Sequence, residues 1–204
     1  MLFTTQEDAL PRRSCHADHV EDGSRPVVGL VGHAGSGKTT LSGAVQAALA
    51  GTAVVSFGDV MRARARTLGL DSADRDTLLD LGQRWVSADA LALCRAVLSQ
   101  VQPGGSLLVI DGIRHARVAT ELRDLLAPRR LMLVYLAVRE DVLLKRLSEA
   151  GMSTEHAKAL LRDPTEIEVD EALRADADLE VDGTVSLAEN VARLLRTLID
   201  PLGA

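Results

Sequence analysis

The sequence predicts an α/β fold, a doubly wound five-stranded parallel sheet with a helical cap and a short lid. Three observations lead there. Apolar runs at 27–31, 53–57, 107–110, 131–137 and 179–181 show no polar alternation, as strands buried on both faces require. Stretches of helical periodicity lie between them, and strands alternating with helices imply right-handed parallel crossovers. The first run leads into a glycine-rich loop and then a helix, an order that places a ligand at the carboxyl ends of the strands.

The expected helices are 38–50, 59–68, 74–101, 115–127, 139–150, 154–162 and 186–199. The last repeats Leu187, Val191, Leu194, Leu195 and Leu198 at helical spacing, behind a capping-box pair of Ser186 and Glu189. Residues 1–25 are polar and aperiodic and read as a mobile leader; 26–204 read as one domain. Within it, the long helical stretch 58–105 between the second and third strands is the natural cap, and 146–166 a lid-like region. Cys15, His16 and His19 lack a fourth metal ligand nearby and read as a chance cluster.

At 204 residues the chain is long enough for one well-buried domain. Aromatics are only 2% (Phe3, Phe57, Trp85 and Tyr135), so the core must be built from Leu, Val and Ala. A net charge of −6 argues against a general nucleic-acid binder, which needs a basic stripe to displace counterions. Cys15 and Cys94 fit no metal or redox spacing and read as reduced thiols of a cytoplasmic protein. No run is long enough to span a membrane, and nothing sets the oligomeric state.

Gly32-His-Ala-Gly-Ser-Gly-Lys-Thr39 has the spacing G-x-x-x-x-G-K-[ST] between a strand and a helix. Gly32, Gly35 and Gly37 let successive N–H groups, with those of Ser36 and Thr40, turn inward around a polyphosphate. The helix from 38 adds the positive end of its dipole. Lys38 supplies a compact charge for the outer phosphates, and Thr39 a hydroxyl for Mg²⁺. ATP with Mg²⁺ is the expected ligand pair. Asp111 closes the run Leu107-Leu-Val-Ile-Asp111, where a carboxylate orients the water shell of Mg²⁺ or caps the next helix. Ser56-Phe-Gly-Asp-Val-Met-Arg62 puts Asp59 near a helix start, as an N-cap or an acceptor ligand, with Arg62 one turn on. Asp111-Gly-Ile-Arg114 adds Arg114 to the same crevice, where a rigid guanidinium fork suits a phosphate or similar anion. Arg146 and Arg162 either close over the transferring group or are ordinary exposed charges.

On these segments the chain, over roughly 26–200, resembles the nucleoside monophosphate kinase branch of P-loop kinases, which includes adenylate kinases and dephospho-coenzyme A kinases. Ser56–Arg62 is similar to the adenylate-kinase segment that holds the acceptor nucleotide, and Asp111–Arg114 to a segment whose arginine contacts the acceptor phosphate. The stretch 139–198 resembles the tail of dephospho-coenzyme A kinases. That likeness implies that Asp182-Gly183-Thr184 lies near the donor base and that Arg146 reaches ATP. The implied fold is a P-loop NTPase of nucleotide-kinase type. The implied activity is ATP-dependent transfer to a small nucleotide-like acceptor, most simply a nucleoside monophosphate. Asp59 would orient a phosphate acceptor or act as base for a hydroxyl one. Two alternatives stand beside this: a kinase acting on a hydroxyl of a nucleotide- or coenzyme-like metabolite, and a regulatory ATPase whose output is a partner interaction.

Overall fold

Strand pairing follows from the apolar runs. In the computed structural model, which describes residues 26–102 and 104–199, these runs form β1 (Val27–Val31), β2 (Thr52–Ser56), β3 (Leu107–Ile113), β4 (Leu131–Ala137) and β5 (Leu179–Asp182). All pair in parallel in the order β2-β3-β1-β4-β5. The leader and its Cys15, His16 and His19 lie outside the described residues.

Strand side chains alternate between two cores, which explains the absence of polar alternation. Val27, Val31, Leu133 and Tyr135 face one cluster, and Val28, Leu30, Val134 and Leu136 the other. The helices are α1 (Lys38–Ala48), α2 (Phe57–Thr67), α3 (Arg75–Leu98), α4 (Ala116–Leu126), α5 (Glu140–Glu149), α6 (Thr154–Leu161), α7 (Pro164–Glu168) and α8 (Leu187–Ile199). α3 and α4 cover the first face, with Leu93, Cys94, Val97, Val118 and Leu122 buried there. α1 and α8 cover the second through Leu41, Val45, Val191 and Leu194. The doubly wound five-stranded parallel sheet expected from the sequence is therefore present.

Some boundaries differ from expectation, each for a local reason. α2 begins at Phe57, not 59, because Ser56 is its N-cap, accepting from the Asp59 N–H at 3.4 Å. Asp59 is therefore inside the first turn and does not cap it. β3 runs on to Ile113, so Asp111 lies within a strand rather than at its last residue. Asp111 does not cap α4; Glu168 does so from outside, accepting from Ala116 N–H at 2.7 Å and bonding the His115 ring at 2.9 Å. α3 breaks at Asp89 (φ −159°, ψ 86°), whose carboxylate accepts from Ala92 N–H at 2.8 Å and caps a second helical segment.

The stretch 164–173, not expected to be helical, forms α7 followed by a π-helical turn (Val169–Leu173). Asp163 caps α7, accepting from Thr165 N–H at 2.8 Å, and Pro164 opens its first turn. Gln83 of α3 donates to Thr165 Oγ1 (2.7 Å) and Asp163 Oδ1 (3.2 Å), fastening α7 to the cap. Among the described residues no helix is long and apolar enough to cross a membrane.

Candidate active site

The sheet order makes β1 the switch point, with β3 on one side and β4 on the other. The loop 32–37 therefore leaves β1 at the crevice where ligands bind in such sheets. Gly37 stands just before α1 at φ 102°, which a side chain would disfavour, and the turn delivers Lys38 into the first helical position. Lys38 is buried, and its Nζ donates to Gly32 O (2.6 Å), His33 O (2.8 Å) and Ser36 Oγ (3.4 Å). Burial, then the nearby Arg114 charge, lower its pKa to about 7, while Glu166 and Asp111 oppose the shift.

Thr39 Oγ1 donates to Asp111 Oδ2 at 2.7 Å, across 72 residues of sequence. Asp111 is buried, and its Oδ1 has no hydrogen-bond partner among the described residues. A buried carboxylate oxygen with nothing to accept from is costly. A hydroxyl beside it completes a hard, oxygen-only donor set next to the phosphate loop, and these residues fit Mg²⁺.

Beside the loop a cavity of about 780 Å³ opens between the sheet, α2 and α3. Lys38, Thr39, Thr40 and Asp111 lie at one end; Phe57, Met61, Leu78, Leu79 and Val86 form an apolar wall. Arg62 and Arg114 both line it, and so does Arg75. Arg75, at the start of α3, was not singled out from the sequence. Its pKa is lowered by burial and then by Arg114, as expected of two guanidinium groups sharing one space. Asp59 does not line the cavity; it is exposed and ion-paired with Arg62 at 2.7 Å. That pair, on the surface, contributes about 0–1 kcal/mol.

A carboxylate from far along the chain closes the site. Glu166 of α7 is fully buried, and its Oε2 accepts from Ala34 N–H (3.0 Å) and bonds His33 Nδ1 (2.9 Å). Its Oε1 accepts from Arg114. Burial alone would raise its pKa, but the His33 bond, the Arg114 and Lys38 charges and the Ala34 amide outweigh it and hold it at about 2. Breaking such a buried pair typically costs about 3–5 kcal/mol, far more than losing the Asp59–Arg62 pair. The sequence did carry one signal for this segment: Asp163-Pro164-Thr165-Glu166 has the form of a helix start. Nothing in that pattern says that Glu166 turns back to the phosphate loop.

Arg146 grips the same loop from another side. Its guanidinium donates to Gly35 O (3.3 Å), Ser36 O (3.2 Å) and Gly183 O (2.8 Å), joining the phosphate loop to the turn after β5. Gly183 approaches so closely that a Cβ there would lie 2.5 Å from Val138 and 3.1 Å from Ser36 O. The loop carbonyls and Gly183 are thus brought together through Arg146. Arg162 is not in this cluster. It lines a second cavity of about 1120 Å³, which His33, Glu166, Asp182 and Thr184 also line, with Tyr135 and Arg174. The segment 146–166 packs down against the loop, with Leu147, Ala157 and Leu160 buried around Ala34.

Solved structures with the same fold include shikimate kinase from Acinetobacter baumannii in complex with shikimate. It is 19% identical with a TM-score of 0.55, over 86% of this chain and 93% of that one. Shikimate kinase from Aquifex aeolicus is 18% identical, TM-score 0.56, over 87% and 99% of the two chains. A gluconokinase from Sinorhizobium meliloti is 21% identical, TM-score 0.52, over 87% and 97%. No curated protein matches the sequence. The fold is the one these solved structures share. The family model described as an AAA domain matches residues 28–174, well over half of the chain, and the chain belongs to that family.

Proposed function

We propose that the protein is an ATP-dependent phosphotransferase acting on a small anionic acceptor, most simply the phosphate of a nucleoside monophosphate. The observation that carries this reading is the cavity itself. The phosphate loop and the Thr39–Asp111 pair stand at one end, and Arg62, Arg75 and Arg114 line the same space. The apolar wall of Phe57, Met61, Leu78 and Val86 suits a flat base, while the arginines suit its phosphate.

In this reading the amides of residues 32–40 and the Lys38 ammonium hold the β- and γ-phosphates. Thr39 and Asp111 would hold Mg²⁺, directly or through water, and Mg²⁺ there would supply charge neutralisation for the transferred group. Arg114 and Arg62, with Arg75, bind the acceptor anion, and Arg146 braces the loop from the donor side. A phosphate acceptor is already ionised near neutral pH, so the exposed, paired Asp59 has only to orient it through Arg62. Catalysis is then alignment plus charge neutralisation.

A second reading is favoured by the named neighbours. Shikimate and gluconate offer hydroxyls and a carboxylate rather than a phosphate. The same arginines would then hold an anionic group remote from the reacting hydroxyl, and Asp59 would turn in to take its proton. Transfer from γ-labelled ATP to a panel of nucleoside monophosphates and hydroxylated metabolites separates the two. Labelled nucleoside diphosphate supports the first reading and a labelled hydroxyl ester the second. ATP hydrolysis indifferent to every acceptor would overturn both and leave a regulatory ATPase.

A further inference from the structure

We propose that Glu166 is a positioning residue that fixes Arg114 at a set place against the phosphate loop, coupling the acceptor side of the cavity to the donor side. The inference rests on the reading of Arg114 as an acceptor ligand, and adds what holds that ligand in place. Glu166 lies 132 residues from Ala34 and 52 from Arg114, yet its two oxygens serve both. Oε2 takes the Ala34 amide and the His33 ring, so it is tied to the backbone of the loop. Oε1 takes one terminal nitrogen of Arg114. The other guanidinium N–H groups of Arg114 make no hydrogen bond among the described residues, and Arg114 lines the cavity. One edge of the fork is therefore tethered and the other left for a ligand.

The arrangement also answers a charge problem. Lys38, Arg75 and Arg114 converge with Lys38 buried, and Glu166 acts on each with the opposite sign. Without it the three cations would repel, and Arg114 would swing toward solvent. Glu166 is itself held from beneath, because Thr165 and Asp163 are fastened by Gln83 to the wall of the acceptor cavity. Its mass of contacts thus spans loop, acceptor arginine and cap.

Glu166→Gln keeps the shape and removes the charge; Glu166→Asp keeps the charge and shortens the arm. With ¹⁵N-labelled protein, the Arg114 guanidinium, assigned through Arg114→Lys, should show hindered rotation in the native chain and free rotation in Glu166→Gln. Hindered rotation that survives the substitution overturns the proposal, whatever the acceptor proves to be. For whichever acceptor the panel identifies, Glu166→Gln should lower kcat/KM roughly 100-fold, the cost of a misplacement near 1 Å. In an Arg114→Ala background the same change should cost less than about tenfold, since only the phosphate-loop end of the tether is left. Additive losses in that cycle also overturn it. Should Glu166→Gln fail to fold, the Glu166→Asp cycle decides in the same way, with non-additivity expected. A native chain that transfers to no acceptor would refute the proposed function, while the guanidinium measurement would still judge the tether.

Discussion

The proposed donor side and the proposed acceptor side of the cavity are built by opposite strategies. Residues 32–40 form most of the first from one continuous stretch, with Asp111, Glu166, Arg146 and Gly183 arriving from elsewhere. The acceptor side is assembled from α2, α3, the end of β3 and, through Glu166, α7. A site made of main-chain amides at a helix start has to be local, because consecutive N–H groups must point at one object. A site made of guanidinium groups can be gathered from anywhere, and each arginine then needs something to hold it. Arg114 is held by a buried carboxylate, Arg62 only by an exposed one.

Four measurements can break or sharpen that contrast. The largest effect belongs to the donor side: Lys38→Ala should reduce transfer by about a thousandfold, since it removes a charge placed for the transition state. The far-ultraviolet circular dichroism should stay native, and retained activity would remove the loop from the chemistry. Next, Arg114→Ala should raise acceptor KM about 100-fold, as loss of a charged hydrogen bond implies, and Arg62→Ala only about fivefold. Both should leave ATP KM nearly unchanged; equal effects on the two substrates would mean that the sides are not distinct.

The third is a proton count. Lys38 ordinarily titrates near 10.5, but here at about 7, chiefly because it is buried. A bound triphosphate favours the ammonium form, so binding at pH 8 should take up a proton, and binding at pH 6 should not. ATP affinity should accordingly fall as pH rises through 7. Calorimetry in buffers of different ionisation enthalpy measures the uptake, which should vanish in Lys38→Met. The smallest effect is that of Arg162→Ala, which should change acceptor KM by less than about twofold, because Arg162 lines the neighbouring cavity. A tenfold change would draw it back to the acceptor.

The parts of the molecule that were legible in the sequence are those where one physical demand acts on adjacent residues. Two-sided burial made β1 and β4 readable residue by residue, and the loop motif fixed Lys38 and Thr39. Thr39 and Asp111 were singled out separately as Mg²⁺ ligands, and Asp111 lies inside β3 beside that loop rather than at the strand's end. α7 was missed because it is a five-residue helix running into a π-helical turn, too short for a periodic signal to rise above its surroundings. Arg75 was missed because an arginine at a helix start looks like any surface charge until Arg114 is seen beside it. Glu166 was hidden for the deeper reason that a buried carboxylate is written in sequence like an exposed one.

The break at Asp89 divides the long third helix into unequal partners. Beyond it Ala90, Cys94 and Val97 are buried against the sheet, and Leu93 is buried there while also lining the cavity. Before it, Arg75, Leu78, Leu79, Gly82 and Val86 face the acceptor cavity, and Trp85 is bridged to α2 by the Arg64 guanidinium 5.8 Å from its ring. Because Asp89 begins the second segment afresh, the forward segment sets its own direction along the cavity. Retailoring it would change which molecules are admitted, while the foundation on which the donor machinery stands stays as it is.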